Sequence, residues 1–212
     1  MSRYAMAKQT RQGETLAAMR YKPGYKTEKR KELLSVAGKV MKENGFSATG
    51  IDGLMQDAGV TSGAFYSHFP SKSALLKALI VNELEASSAM WADMKEEDPA
   101  AWLRQQARRY LSMGHVAHPE AGCILPALAS EISRADEETR NLLADELIKW
   151  QATIADKLDH KDHGWAFISQ LVGAVLLARA VTDKDLQRTI LAASRALLED
   201  IISQAERHIS HP

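Results

Sequence analysis

The 212-residue chain balances 27 Lys/Arg against 27 Asp/Glu, and 45% of its residues are hydrophobic. This is the make-up of an ordinary globular fold of one large or two small domains, which excludes a collagenous, disulfide-rich or disordered chain. No apolar run reaches the roughly 20 residues of a membrane span; with no secretory signal core and one unpaired cysteine, Cys123, a cytoplasmic location and no membrane partner are expected.

Charge is unevenly spread. Residues 1–90 carry 13 Lys/Arg and 8 Asp/Glu, whereas residues 91–212 carry 14 and 19. Most of the early excess is Arg3, Lys8, Arg11, Arg20, Lys22, Lys26, Lys29, Arg30 and Lys31, so the first half is suited to face a polyanion. Pro23-Gly24 sets residues 1–25 apart as a flexible basic arm, or as a plain solvated tail.

The spacing predicts a first helix over residues 26–44, with Leu33, Leu34, Ala37, Val40 and Met41 on one face. A very short helix follows over 51–58, with Thr49 placed to cap it. Gly59 is suited to the left-handed turn that ends it, and Val60 supplies an apolar plug. Thr61 is placed to cap a second short helix over 62–67, which Phe69-Pro70 closes. A connecting helix spans 71–90, carrying Leu75, Leu76, Leu79, Ile80 and Leu84. Asp98-Pro99 opens a helix over 100–116; residues 118–122 form a loop, and helices follow over 123–133, 137–158, 165–181 and 184–206. No strand alternation, repeat or low-complexity segment occurs. The fold class is all-α, with about nine helices.

Two short helices around a glycine turn, pinned on a larger scaffold, form a helix-turn-helix, a motif that presents its second helix to the DNA major groove. The run from Ala58 to Phe69 (A-G-V-T-S-G-A-F-Y-S-H-F), with Ser71-Lys72 and Leu75-Leu76 after it, resembles the TetR/AcrR family of bacterial transcriptional regulators. Glu32-Leu33-Leu34, Ala37 and Asn44-Gly45-Phe46 match the family's first helix and its exit. The likeness covers a quarter to a third of the chain. Gly53 stands where the family usually has a polar helix former, and Met55 where it usually has Ala.

The resemblance implies an N-terminal three-helix DNA-binding domain with its connecting helix at residues 26–91, and a C-terminal helical ligand-binding and dimerisation domain at 92–212. From Asn44 to Pro70 there is no Lys or Arg, so base reading falls to short side chains and close approach rather than to arginine pairing with guanine. Ser62 is suited to a base edge, Ala64 to a thymine methyl, and Gly63 to near approach of the backbone. Thr49 and Thr61 are candidate phosphate donors as well as caps. The resemblance adds Tyr66, His68 and Lys72 as phosphate contacts. Val60, Phe65 and Phe69 read as core.

The resemblance also implies a homodimer through the last two helices and a small-molecule inducer held between helices. Leu186, Ile190, Ala193, Leu197 and Ile201 recur at heptad-like spacing, and Gly173, Ala174 and Ala178 allow close helix approach; the same stripe would also serve packing within one protomer. Pocket candidates are Trp102, Gln106, Tyr110 and Met113, with Trp150 and Phe167 opposite, although aromatic stripes also build plain cores. Cys123 stands at a loop-to-helix junction where amides and the helix dipole would favour thiolate. The segment after it resembles some TetR-like ligand domains that sense oxidants or electrophiles; the alternative is an inert thiol filling a gap.

Three His-x-x-His pairs (115/118, 160/163, 208/211) lack thiolate partners, so no metal or other cofactor is expected. No phosphate-binding glycine loop, nucleophile elbow or metalloprotease helix occurs, so no enzyme is expected. The leading reading is a repressor released from a palindromic operator on double-stranded DNA by an inducer. The alternative is a helical ligand-binding or protein-interaction module that no longer reads DNA.

Overall fold

The computed structural model describes residues 25–92, 98–158 and 161–210; the expected basic arm, together with His160 and His211, lies outside them. The described elements are α1 (Tyr25–Asn44), α2 (Ile51–Asp57), α3 (Ser62–His68), α4 (Lys72–Ala92), α5 (Pro99–Tyr110), α6 (Met113–Ala117), a 3-10 turn (Pro119–Ala121), α7 (Leu125–Ile132), α8 (Glu137–Ala155), α9 (Lys161–Arg179) and α10 (Lys184–Ser210). The all-α expectation holds, and no strand occurs among the described residues. No described helix is long and apolar enough to cross a membrane.

Short polar side chains start most of the helices by accepting backbone N–H groups that have no partner inside the helix. Thr61 accepts from Ala64 at 3.3 Å and Ser71 from Ala74 at 3.0 Å. Asp98 accepts from Ala100 and Ala101 ahead of Pro99, Asp136 from Thr139 at 2.8 Å, and Asp183 from Asp185 and Leu186. At the other end of α2, Gly59 takes φ +60°, Val60 N–H returns to Met55 and Gly59 N–H to Gln56. That pair of bonds is the glycine-terminated turn expected from the sequence.

Two expectations are corrected. Thr49 does not cap α2: Gly50 holds the cap position without a side-chain bond, while the buried Thr49 hydroxyl donates to the Gly45 carbonyl at 2.7 Å. It braces the exit of α1 instead. The helix expected over 100–116 is broken at Leu111 and Ser112. Leu111 leaves helical geometry, Arg195 of α10 donates to its carbonyl at 2.6 Å, and Ser112 restarts the chain by accepting from His115. A part-buried arginine bond thus replaces a helical one.

Helices α1 to α4 share one core in which Leu33, Leu34, Ala37, Met41, Leu54, Phe65, Phe69, Leu75, Leu76 and Leu79 are buried. Each such Leu or Phe contributes about 1.5–3 kcal/mol, which outweighs the roughly 1 kcal/mol that Gly53 costs within α2. The phenyl rings of Phe65 and Phe69 pack 5.8 Å apart, and Arg30 of α1 stacks on Phe69 while donating to the His68 carbonyl at 2.7 Å. Arg30 thereby holds the end of α3.

Among the remaining helices, α8 packs along α4. The far end of α4 packs with α5 and α8 through Trp91, Trp102 and Trp150, and α9 lies against α8 and α10. Three polar ties join the helix-turn-helix region to this bundle. Lys42 of α1 bonds the Glu83 carboxylate of α4 at 2.7 Å and the Gly122 carbonyl at 3.0 Å, with Gly38 leaving the space beside Glu83 open. Glu131 of α7 accepts from Phe46 and Ser47 N–H, both at 2.7 Å. Near the start of α4, Ser73 and Lys77 pair with Asp136, and Lys77 also with Glu138.

Burial alone would raise the Glu131 carboxyl, but the Ser47 and Phe46 N–H groups outweigh it and hold the group below its ordinary value. A depressed folded value stabilises the protein above the unfolded carboxylate range, and that stability is lost as pH falls through the folded value. Glu131→Gln should therefore cost about 1–3 kcal/mol at neutral pH. In urea titrations, the gap between wild type and variant should close as the solution is acidified toward pH 3.

Candidate functional site

The polarity of α3 is divided by face. Phe65 and Phe69 point into the core, whereas Thr61, Ser62, Gly63, Tyr66 and Ser67 are exposed and Ala64 is half-buried. Tyr66 is 50% exposed, with its ring edge-on to Phe65 at 5.3 Å. The packing of the two phenylalanines fixes the roll of α3 and turns Ser62, Gly63 and Tyr66 outward together.

The flanking candidates sit differently. Lys72 is half-buried, with its ammonium 4.4 Å from the centroid of the Phe46 ring. His68 is half-buried as well; burial, then the positive charges of Lys26, Arg30 and Lys29, hold its imidazole below its usual range, so it is neutral at pH 7. Its Nδ1 is enclosed without a hydrogen-bond partner among the described residues. Thr49 is 6% exposed with its hydroxyl committed to Gly45, which sets it apart from the outward-facing group. Arg30, counted above with the basic residues, is engaged with Phe69 and His68.

A cavity of about 470 Å³ opens between α4, α5, α8 and the segment that runs from the α5 break to α7. Of the six sequence-predicted contacts, Gln106, Tyr110 and Trp150 line it. Trp102 does not: its indole N–H donates to the Trp91 carbonyl and its ring lies under Lys157. Phe167 is wholly buried in the core of α9, and Met113 packs against the core just past the break. The missed lining residues come mostly from α4 (Glu83, Ser87, Met90, Trp91), from Lys42 and from His115. A tryptophan near the end of an otherwise aliphatic helix was the available signal on α4.

Cys123 lines the cavity two residues before α7 begins. Its N–H donates to Nε2 of His115 at 3.0 Å, which makes that nitrogen an acceptor. Nδ1 therefore carries the imidazole proton and donates to the Tyr110 carbonyl at 2.8 Å. Burial, then the nearby Arg179 and Lys42 charges, overcome that carbonyl's opposing effect and hold His115 below its usual range, so the ring is neutral. Both its nitrogens are committed, and His118 pairs with Glu120 instead.

The thiolate expected at Cys123 is not favoured. Burial pushes its thiol up and outweighs the opposing contacts from Tyr110, Leu125 N–H and Lys42. At pH 7 Cys123 is a thiol, and its alkylation by iodoacetamide should be at least about tenfold slower in native than in urea-unfolded protein. Equal rates by mass spectrometry would overturn this assignment.

Residues 33–79 match the family described as bacterial regulatory proteins, tetR family. The HTH-type transcriptional regulator LmrA of Bacillus subtilis is 25% identical over 134 residues, or 62% of this chain and 71% of LmrA. The HTH-type transcriptional repressor KstR2 of Mycobacterium tuberculosis is 28% identical over 102 residues, 48% of this chain and 51% of KstR2. Among solved structures, a TetR-family transcriptional regulator from Cytophaga hutchinsonii superimposes with a TM-score of 0.75 at 16% identity, covering 87% of this chain and 98% of that one. The reduced form of NemR from E. coli gives 0.70 at 19% identity over 82% and 96%; both likenesses concern the fold. The helix-turn-helix region of this chain, residues 33–79, belongs to the TetR family of bacterial regulatory proteins, and the helical bundle behind it shares the fold of these two solved structures.

Proposed function

We propose that the protein is a DNA-binding transcriptional repressor, acting as a homodimer on a palindromic operator and released when a small molecule fills the cavity between α4, α5 and α8. The outward face of α3 carries this reading: Ser62, Gly63 and Tyr66 stand clear of the fold on a helix whose roll and end are fixed by Phe65, Phe69 and Arg30. Ser62 and Ala64 then read base edges, while Thr61, Tyr66, His68 and Lys72 meet phosphates. Lys72 leaves the Phe46 ring to do so. Residues 26–91 act as the reading head and residues 92–212 as the effector and dimer portion. The setting is the cytoplasm, and the role is regulatory rather than enzymatic.

The outer side of α9 and α10 supports the dimer. Leu186 and Leu197 of the heptad-like stripe are exposed and Ile190 and Ile201 half-buried, whereas Leu191, Leu198 and Ile202 form the inward face of α10. Beside them on α9, Leu176 is 50% and Leu177 59% exposed. Ala174 and Ala178, expected to ease helix approach between protomers, are buried within this one; Gly173 has open space around it. Apolar stripes of this extent on adjacent helices suit a four-helix interface with a second copy.

Fluorescence anisotropy with the DNA upstream of the protein's own gene, at two salt concentrations, tests the reading. Binding should be sequence-specific and weaken with salt. Tyr66→Phe and Lys72→Ala should each weaken it by about three- to tenfold while thermal melting is unchanged. Wild-type affinity in both would refute these contacts. Leu177→Glu should shift the protein to monomer in light scattering and abolish binding to the full operator; a dimer with wild-type binding would sink the interface.

A further inference from the structure

The walls of the cavity restrict the chemistry of what enters it. Trp91, Tyr110 and Trp150 supply flat apolar surface: the Trp91 and Trp150 rings meet edge to face at 4.9 Å, and the Tyr110 ring lies tilted 35° from Trp150 at 6.3 Å. Such surfaces favour a planar aromatic guest. The volume of about 470 Å³ falls in the usual range for small-molecule sites.

Two buried polar atoms on this wall lack a strong partner. The Trp150 indole N–H has no hydrogen-bond partner among the described residues and the Tyr110 hydroxyl meets only the Cys123 sulfur, while both side chains are more than nine-tenths buried. The neighbouring Cys123 thiol is a weak partner for the phenol, whose own ionisation burial suppresses further. An indole N–H can only donate, and a phenol donates readily, so what satisfies both is an acceptor oxygen.

The charges deepest in the cavity are already committed. Lys42 is paired with Glu83 and also bonds the Gly122 carbonyl. His115 is held neutral by burial and by the nearby Arg179 and Lys42 charges, and both its nitrogens are committed. Arg109 is exposed. A charged guest would therefore lose its hydration without meeting an uncommitted counter-ion inside.

We infer that the cavity binds an uncharged, planar aromatic molecule bearing a carbonyl-type oxygen, which takes hydrogen bonds from Tyr110 and Trp150. This rests on the proposed role of the cavity as the effector site. It adds the ligand's class: aromatic, neutral and hydrogen-bond accepting.

Two probes of nearly equal shape separate the acceptor from the ring. Quenching of intrinsic tryptophan fluorescence in the full-length protein should show 2-acetylnaphthalene binding about tenfold more tightly than 2-ethylnaphthalene. The anion 2-naphthoate should bind more weakly than the ketone. Tyr110→Phe should lower the ketone preference at least about threefold, and Tyr110→Phe with Trp150→Phe should remove it, since no donor then remains. Circular dichroism melts establish that the variants are folded. Equal binding of the two neutral probes, a preference unchanged in folded Tyr110→Phe, tighter binding of naphthoate, or no binding of any probe would each overturn the inference. Operator titration is read separately. Specific DNA binding without ketone preference leaves the repressor reading and removes this one, whereas ketone preference without DNA binding does the reverse.

Discussion

Everything proposed for DNA rests on the packing of two phenylalanines beneath a seven-residue helix. A helix of that length has no independent stability in water, so α3 exists because Phe65 and Phe69 are buried against α1 and α4. The same burial sets which residues face outward. Arg30 secures the exit of α3 from above, and the turn at Gly59 secures its approach. The reading surface is thus a by-product of a core, and changes to the core would disorient it before any contact residue was altered.

The sequence makes the helix-turn-helix legible because its signals are local. Thr61 as cap, Gly59 as the left-handed turn, and Phe65 and Phe69 as core follow from residue types a few positions apart. What failed depended on distant partners. Thr49 has the chemistry of a cap, but the Gly45 carbonyl claims its hydroxyl. The helix over 100–116 looks continuous because the arginine that takes the Leu111 carbonyl lies 84 residues further along. The cavity was half legible for the same reason. Tyr110 and Trp150 stand out by type, but that Trp102 turns away to bond Trp91 cannot be seen from spacing.

The break after α5 gives the bundle its interior. A continuous helix would carry residues 111–116 past the cavity in a straight line. Instead the chain turns at Leu111, restarts at Ser112 and brings the His115 ring across to meet Cys123 N–H. Arg179 then donates to the His115 carbonyl from α9, so the wall formed by this segment is tied to α9 and, through Arg195, to α10. The cavity floor and the proposed dimer helices are parts of one hydrogen-bonded frame. A guest that displaced His115 would act on that frame directly.

The tie between α1 and α4 also depends on a missing group. The carboxylate of Glu83 reaches Lys42 by occupying the space beside Gly38, where an added methyl would lie 2.8 Å from its oxygen. A side chain at position 38 would compete with that carboxylate for room and oblige it to shift at the tie that Lys42 makes to α4. Mechanical linkage between the cavity wall and the reading head is therefore specified partly by a position with no functional group, which a search for charged or aromatic residues would pass over.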